Sequence, residues 1–201
     1  MDNYLKDIQD IKEMMNRSSQ FLSLSGLSGI LAGVYALAGA FAVKQVYNEN
    51  YRKHITLESY AFKQIVFIAL AVLVLSVTTA IILTYKKTRK DGETMWNATS
   101  KRLLLNFLIP LCTGGIFGLL LLKNGYYGII APVMLIFYGL SLINASKYTV
   151  RDVRYLGMII VVIGLFSTAY MGYGLEFWAL GFGVCHIIYG TFMHFKYDRK
   201  K

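Results

Sequence analysis

Six stretches without a single charged residue, each 19 to 26 residues long, make up most of this 201-residue chain. They run Ser18–Val43, Gln64–Tyr85, Leu103–Leu122, Asn124–Ser146, Tyr155–Leu175 and Phe177–Phe195. An α-helix rises 1.5 Å per residue, so about 20 apolar residues cross the ~30 Å hydrocarbon layer of a bilayer. The expected fold is therefore all-α: a polytopic membrane helix bundle with spans at about 20–43, 64–85, 103–122, 125–146, 155–173 and 177–195. Charged residues make up 16% of the chain, against roughly 25% in soluble proteins. No connection is long enough for a separate soluble domain, so any activity has to sit in the bundle or its loops.

The placement of charge orients the spans. The N-terminal segment (Lys6, Lys12, Arg17), loop 2 (Lys86, Lys87, Arg89, Lys90, Lys101, Arg102), loop 4 (Lys147, Arg151, Arg154) and the tail (Lys196, Arg199, Lys200, Lys201) hold 16 of the 21 basic residues. Loops 1, 3 and 5 hold the other 5, Lys44, Arg52, Lys53, Lys63 and Lys123. Lys and Arg concentrate in cytoplasmic loops, which predicts a multi-pass protein of the inner (cytoplasmic) membrane with both termini cytoplasmic. The net charge of +10 is then explained by topology and by anionic lipid headgroups, and nucleic acid is not an expected partner. Aromatics fit both interfaces: Tyr126, Tyr127, Tyr170, Tyr173 and Trp178 outside, Tyr85, Trp96, Tyr148, Tyr155 and Tyr197 inside.

Residues 1–19 form a separate unit. Leu5, Ile8, Ile11 and Met15 recur at helical spacing among mixed charges. This predicts a cytoplasmic amphipathic helix lying on the membrane, docked on the bundle or holding a partner. The apolar run behind it is span-length, unlike the short core of a cleaved signal, so the first span is expected to be retained. Loop 3 (Lys123-Asn124-Gly125) and loop 5 (about Gly172–Glu176) are tight and predict antiparallel neighbours, giving three hairpins within residues 20–201. A K-x-T-x-[KR]-D pattern after the second span (Lys86–Asp91) and the fourth (Lys147–Asp152) supports that plan, with a looser echo at Lys196–Lys200. The need of each hairpin to exit through basic residues explains the same pattern.

Small residues mark faces. Gly26, Gly29, Gly33, Ala36 and Ala40 line one side of the first span, and Ala179, Gly183, His186 and Gly190 one side of the sixth. Gly114 and Gly118 have the same spacing in the third. Such faces let two backbones approach and gain dispersion contacts that lipid does not offer. The partner is either another span of the same chain or a second copy.

His186 lies at the centre of its run, roughly 14 Å from either end at 1.5 Å per residue. An ionisable group at that depth should face the bundle interior or a hydrated cavity. Cys185 is beside it and Cys112 lies at the centre of the third span. Pro110 removes the helical partner of the Asn106 carbonyl, and Pro132 that of Gly128; a neighbour or water must satisfy such groups. His186, Cys185, Cys112 and Asn106 are thus the candidate midplane polar site. His186 is a packed neutral histidine, a proton- or solute-handling group, or a metal or haem ligand. No second histidine and no carboxylate stands at its depth beside the two cysteines, so neither a metal nor a cofactor is expected. The spans contain no carboxylate pair, and the chain has no Ser/His/Asp set, phosphate-cradling loop or H-E-x-x-H, so catalysis is not expected either.

The stretches Ser23–Gly29 (SLSGLSG) and Phe177–Gly183 (FWALGFG) resemble those of small bacterial six-span inner-membrane proteins of unassigned function. That resemblance implies a bacterial inner-membrane protein and no particular activity. The expected function is a non-enzymatic accessory, sensory or regulatory bundle contacting lipid, a protein partner or further copies of itself. The alternative is a small-solute permease with a midplane site near His186.

Overall fold

A computed structural model describes residues 25–50, 56–92 and 94–198. Among these residues there is no β-strand. Six helices are long and apolar enough to cross a membrane: α1 Gly26–Glu49, α2 Tyr60–Lys90, α3 Ala98–Lys123, α4 Tyr127–Tyr148, α5 Asp152–Ala169 and α6 Gly174–Asp198. The amphipathic helix expected over residues 1–19 lies outside the described residues.

Helix ends follow local chemistry rather than the edge of the apolar runs. Ser59 caps α2, its hydroxyl accepting from the Phe62 amide at 3.1 Å. Asn97 and Ser100 form a capping box at the start of α3, at 2.7 and 2.9 Å. These caps satisfy amides that have no helical partner. At its other end α3 stops in a Schellman motif. Tyr126 donates to the Leu121 carbonyl and Gly125 to that of Leu122, both at 3.0 Å. Gly125 takes φ +82°, a left-handed conformation that a Cβ would strain. Pro132 falls in the first turn of the α-helical part of α4, Ile130–Ala145, where an amide would be unpaired anyway. α6 changes pitch along its length, being π-helical over Ala179–Val184 and again over His194–Asp198.

Surface and core are arranged for a lipid solvent. The most apolar window of α2 contains no buried residue, and Phe67, Ile109, Ile116 and Leu119 are largely exposed. Contiguous apolar surface of this extent is foreign to soluble monomers. The centre is small: Leu135 of α4 with Leu156 and Ile160 of α5, against Phe182, Cys185 and Tyr189 of α6. A second cluster, Val150, Val153 and Met193, lies next to it and also touches Tyr189 and Tyr197.

Glycines bring the helices together. An added Cβ at Gly33 would lie 2.6 Å from the Gly183 carbonyl oxygen, and one at Gly190 2.5 Å from the Ile30 amide nitrogen. At Gly29 it would lie 3.2 Å from Gly190 Cα, and at Gly26 2.7 Å from the Gly190 carbonyl oxygen. The small face of α1 is therefore covered by α6, a span of its own chain. α4 and α5 meet as closely: Cβ atoms at Gly139 and Gly157 would each lie 2.7 Å from the other's carbonyl oxygen. In α3, Gly114 accommodates the Phe137 ring of α4, whereas a Cβ at Gly118 would meet nothing within 4 Å. Gly118 is buried, yet no atom of another described helix lies within 4 Å of where its Cβ would be.

Candidate functional site

His186 is 7% exposed and sits on the inward face of α6. Its Nδ1 is 3.0 Å from the Gly181 carbonyl oxygen, five residues back in the π-helical turn. Its Nε2 is 2.8 Å from the Tyr138 hydroxyl of α4. A carbonyl can only accept, so Nδ1 carries the proton. In the neutral ring Nε2 then accepts, and Tyr138 donates to it. Both nitrogens are satisfied in a place where water is scarce. Phe182 stacks on the imidazole (centroids 6.1 Å, 16° between planes) and also packs on Tyr138 at 4.9 Å. Phe107 of α3 meets the other side of Tyr138 edge-on at 5.9 Å. The result is a polar pair in an aromatic shell, joining α4 to α6 with α3 behind.

The other candidate residues do not converge on this pair. Cys185 packs on the Leu135–Leu156–Ile160 cluster. Cys112 is exposed, and at 100° per residue it points about 200° away from Gly114, which faces Phe137. Asn106 is engaged at the Asp198 end of the bundle. Its side chain donates to the Arg102 carbonyl at 2.8 Å. Its own carbonyl, freed by Pro110, accepts from Asn144 Nδ2 at 2.9 Å. A side chain of α4 thus satisfies the break in α3. The four residues expected to form one midplane set are not brought together into one site.

Two groups went unmarked in the sequence. The hydroxyls of Tyr189 and Ser167 are buried without a hydrogen-bond partner among the described residues. Tyr189 follows His186 by three residues and Tyr197 follows by eleven, so all three lie on one side of α6. The Tyr138-Gly139 and Tyr189-Gly190 dipeptides were the visible sign, each placing a tyrosine beside a helix crossing.

The second polar centre is at one end of the bundle, beside the N-terminus of α1. Asp198 accepts from the Gly26 amide at 3.0 Å and from Lys87 Nζ, and lies 3.2 Å from His194 Nδ1. One carboxylate thereby caps the N-terminus of α1, where the helix dipole favours negative charge, and ties α2 and α6 to it. Asp152, in the first turn of α5, accepts from Lys196 Nζ at 2.7 Å and from the Tyr197 hydroxyl at 2.9 Å. The π-helical tail of α6 is fastened on both sides. Asp198 and Lys87 are 14% and 15% exposed, so water screens this pair only in part. Asp198→Ala is expected to destabilise the bundle by about 1–2 kcal/mol, read as a lower unfolding midpoint in detergent.

Among the described residues, no group of three or more His, Cys, Asp or Glu side chains is placed to hold a metal ion. Six apolar helices with lipid-exposed faces are the architecture of a multi-pass membrane protein. The chain matches no protein-family model, no curated protein and no solved structure.

Proposed function

We propose that this chain is a non-enzymatic accessory, sensory or regulatory membrane bundle that works through contacts with lipid and partner proteins. In this reading it is a bacterial inner-membrane protein with both termini in the cytoplasm. Three hairpins build the bundle, and residues 2–17 form an amphipathic helix at the cytoplasmic face. The observation that supports it is how the polar atoms of the candidate residues are used. His186 bonds to Tyr138 and Gly181, and the Asn106 carbonyl bonds to Asn144. Polar groups spent on holding helices together are unavailable to a passing solute.

A small-solute permease with a midplane site near His186 is the alternative. In its favour is the buried Tyr189 hydroxyl, without a partner among the described residues and on the same side of α6 as His186.

Cysteine labelling separates the two. In a Cys112→Ser background, Cys185 should resist a membrane-impermeant maleimide under conditions that fully label a cysteine at exposed Thr94. Rapid labelling of Cys185 would mean water at the midplane and would favour the permease. Deleting residues 2–17 should reduce crosslinking to partner proteins in native membranes while insertion is unaffected. Unchanged crosslinking would remove the support for the partner-binding handle.

A further inference from the structure

We infer that the last turns of α2 form a binding site for one anionic phospholipid, whose phosphate is held by Lys86, Arg89 and Lys90 and whose acyl chain lies on Ile81, Ile82 and Tyr85. The inference rests on the proposed role of lipid contacts and assigns one of them to a place.

Helix geometry divides this segment into two faces. Successive residues are 100° apart. Thr84, Lys87 and Thr88 therefore share one side, and this is the inward side: Thr84 and Thr88 are 6% and 1% exposed, and Lys87 reaches Asp198. Ile82, Tyr85, Lys86 and Arg89 lie on the opposite side with Ile81 and Lys90 at its margins, and the six line a shallow open groove of about 520 Å³. Ile81, Ile82 and Tyr85 are 52%, 47% and 52% exposed.

Charge decides the occupant. Lys87 is the one cation of this turn that meets Asp198. Among the described residues no carboxylate pairs with Lys86, Arg89 or Lys90. Three positive charges at spacings of three and one residues thus face outward with no counter-ion among the described residues. Arg89 can grip a phosphate with two parallel N–H donors, while the two lysines add point charges. A free phosphate would use these cations but not the apolar floor one turn deeper. A phospholipid uses both, because its phosphate and its chain are separated along the membrane normal as the two halves of the groove are. Tyr85 stands at the junction, with its ring beside the isoleucines and its hydroxyl at headgroup level.

The test is native mass spectrometry of the full chain in non-ionic detergent, titrated with phosphatidylglycerol or phosphatidylcholine of matched chain length. One phosphatidylglycerol should bind at least roughly tenfold more tightly than phosphatidylcholine. The K86Q/R89Q/K90Q variant should lose that preference. K147Q/R151Q/R154Q, which removes equal charge from exposed positions of loop 4 at the same end of the bundle, should keep it. Inorganic phosphate at millimolar concentration should not displace the lipid. Equal loss in both variants would reduce the effect to diffuse surface charge and overturn the site, and displacement by phosphate would overturn the lipid assignment. Circular dichroism on each variant excludes unfolding as the cause of lost binding. Carbonate extraction of the wild-type chain from membranes checks the bundle reading separately: a chain that stays integrated yet shows no lipid preference removes only the site.

Discussion

Gly139→Val is expected to separate α4 from α5 and lower the unfolding midpoint in detergent by about 10 °C, the equivalent of about 3 kcal/mol of overpacking. The reason is what the new side chain would strike. A Cβ at Gly139 would lie 2.7 Å from the Gly157 carbonyl oxygen and 2.9 Å from the Val161 amide nitrogen. Both are backbone atoms, which cannot rotate aside as the tip of a side chain can. The helices must move apart, and Leu135 and Ile160, both 0% exposed, would lose their packing. The contact is reciprocal, so Gly157→Val should be as damaging. Gly115→Val is the control, since a Cβ there meets nothing within 4 Å. It is expected to change stability by less than about 0.5 kcal/mol. Equal shifts at Gly139 and Gly115 would contradict the close crossing of α4 and α5.

The second large effect is expected at the midplane pair. Tyr138→Phe keeps the ring and its contacts with Phe107 and Phe182 but removes the donor to His186 Nε2. A buried acceptor left without a partner costs about 1–3 kcal/mol. His186→Leu should cost as much, because it strands the Tyr138 hydroxyl. The double variant should cost less than the two single ones added, with a coupling of about 1 kcal/mol, in the range measured for interhelical hydrogen bonds in membranes. Unfolding midpoints of the four proteins complete the cycle. A coupling indistinguishable from zero would mean that the hydrogen bond is absent or is replaced by water. The same cycle bears on function, since a group that serves only to join α4 to α6 loses its role when both partners become apolar.

The spans themselves are legible from the chain because the property that defines them is local. An uncharged run of about 20 residues is span-length whatever its neighbours are. Helix ends are less legible: α2 continues to Lys90 and α6 to Asp198, well into charged sequence. Backbone hydrogen bonding carries a helix past the hydrocarbon edge, and caps such as Ser59 and Asn97 stop it. The Pro110 break is legible as an unpaired Asn106 carbonyl, but its partner is not, because Asn144 is 38 residues away in sequence and becomes a neighbour only when α3 packs on α4. Cys112 shows the limit of depth as a guide. Height in the membrane follows from position in the run, whereas the direction a side chain points follows from which side of the helix finds a partner. For α3 that side was set by the fit of Gly114 to Phe137.

Sequence alone thus decides the solvent of this protein and the number and approximate extent of its helices, because those depend on the transfer energy of contiguous residues. The spacing of glycines in the first and sixth spans also reveals faces able to pack closely. Which faces meet was decided by tertiary structure. α1 lies along α6 from the far end of the chain, α4 crosses α5 at Gly139 and Gly157, Tyr138 reaches His186, and Asp198 turns back to cap α1. Each of these contacts joins different helices, and its energy exists only once both surfaces are present. The outward charge of α2 was decided in the same way. Four Lys and Arg within five residues look alike in sequence, and the fold directs Lys87 inward to Asp198 while Lys86, Arg89 and Lys90 face outward.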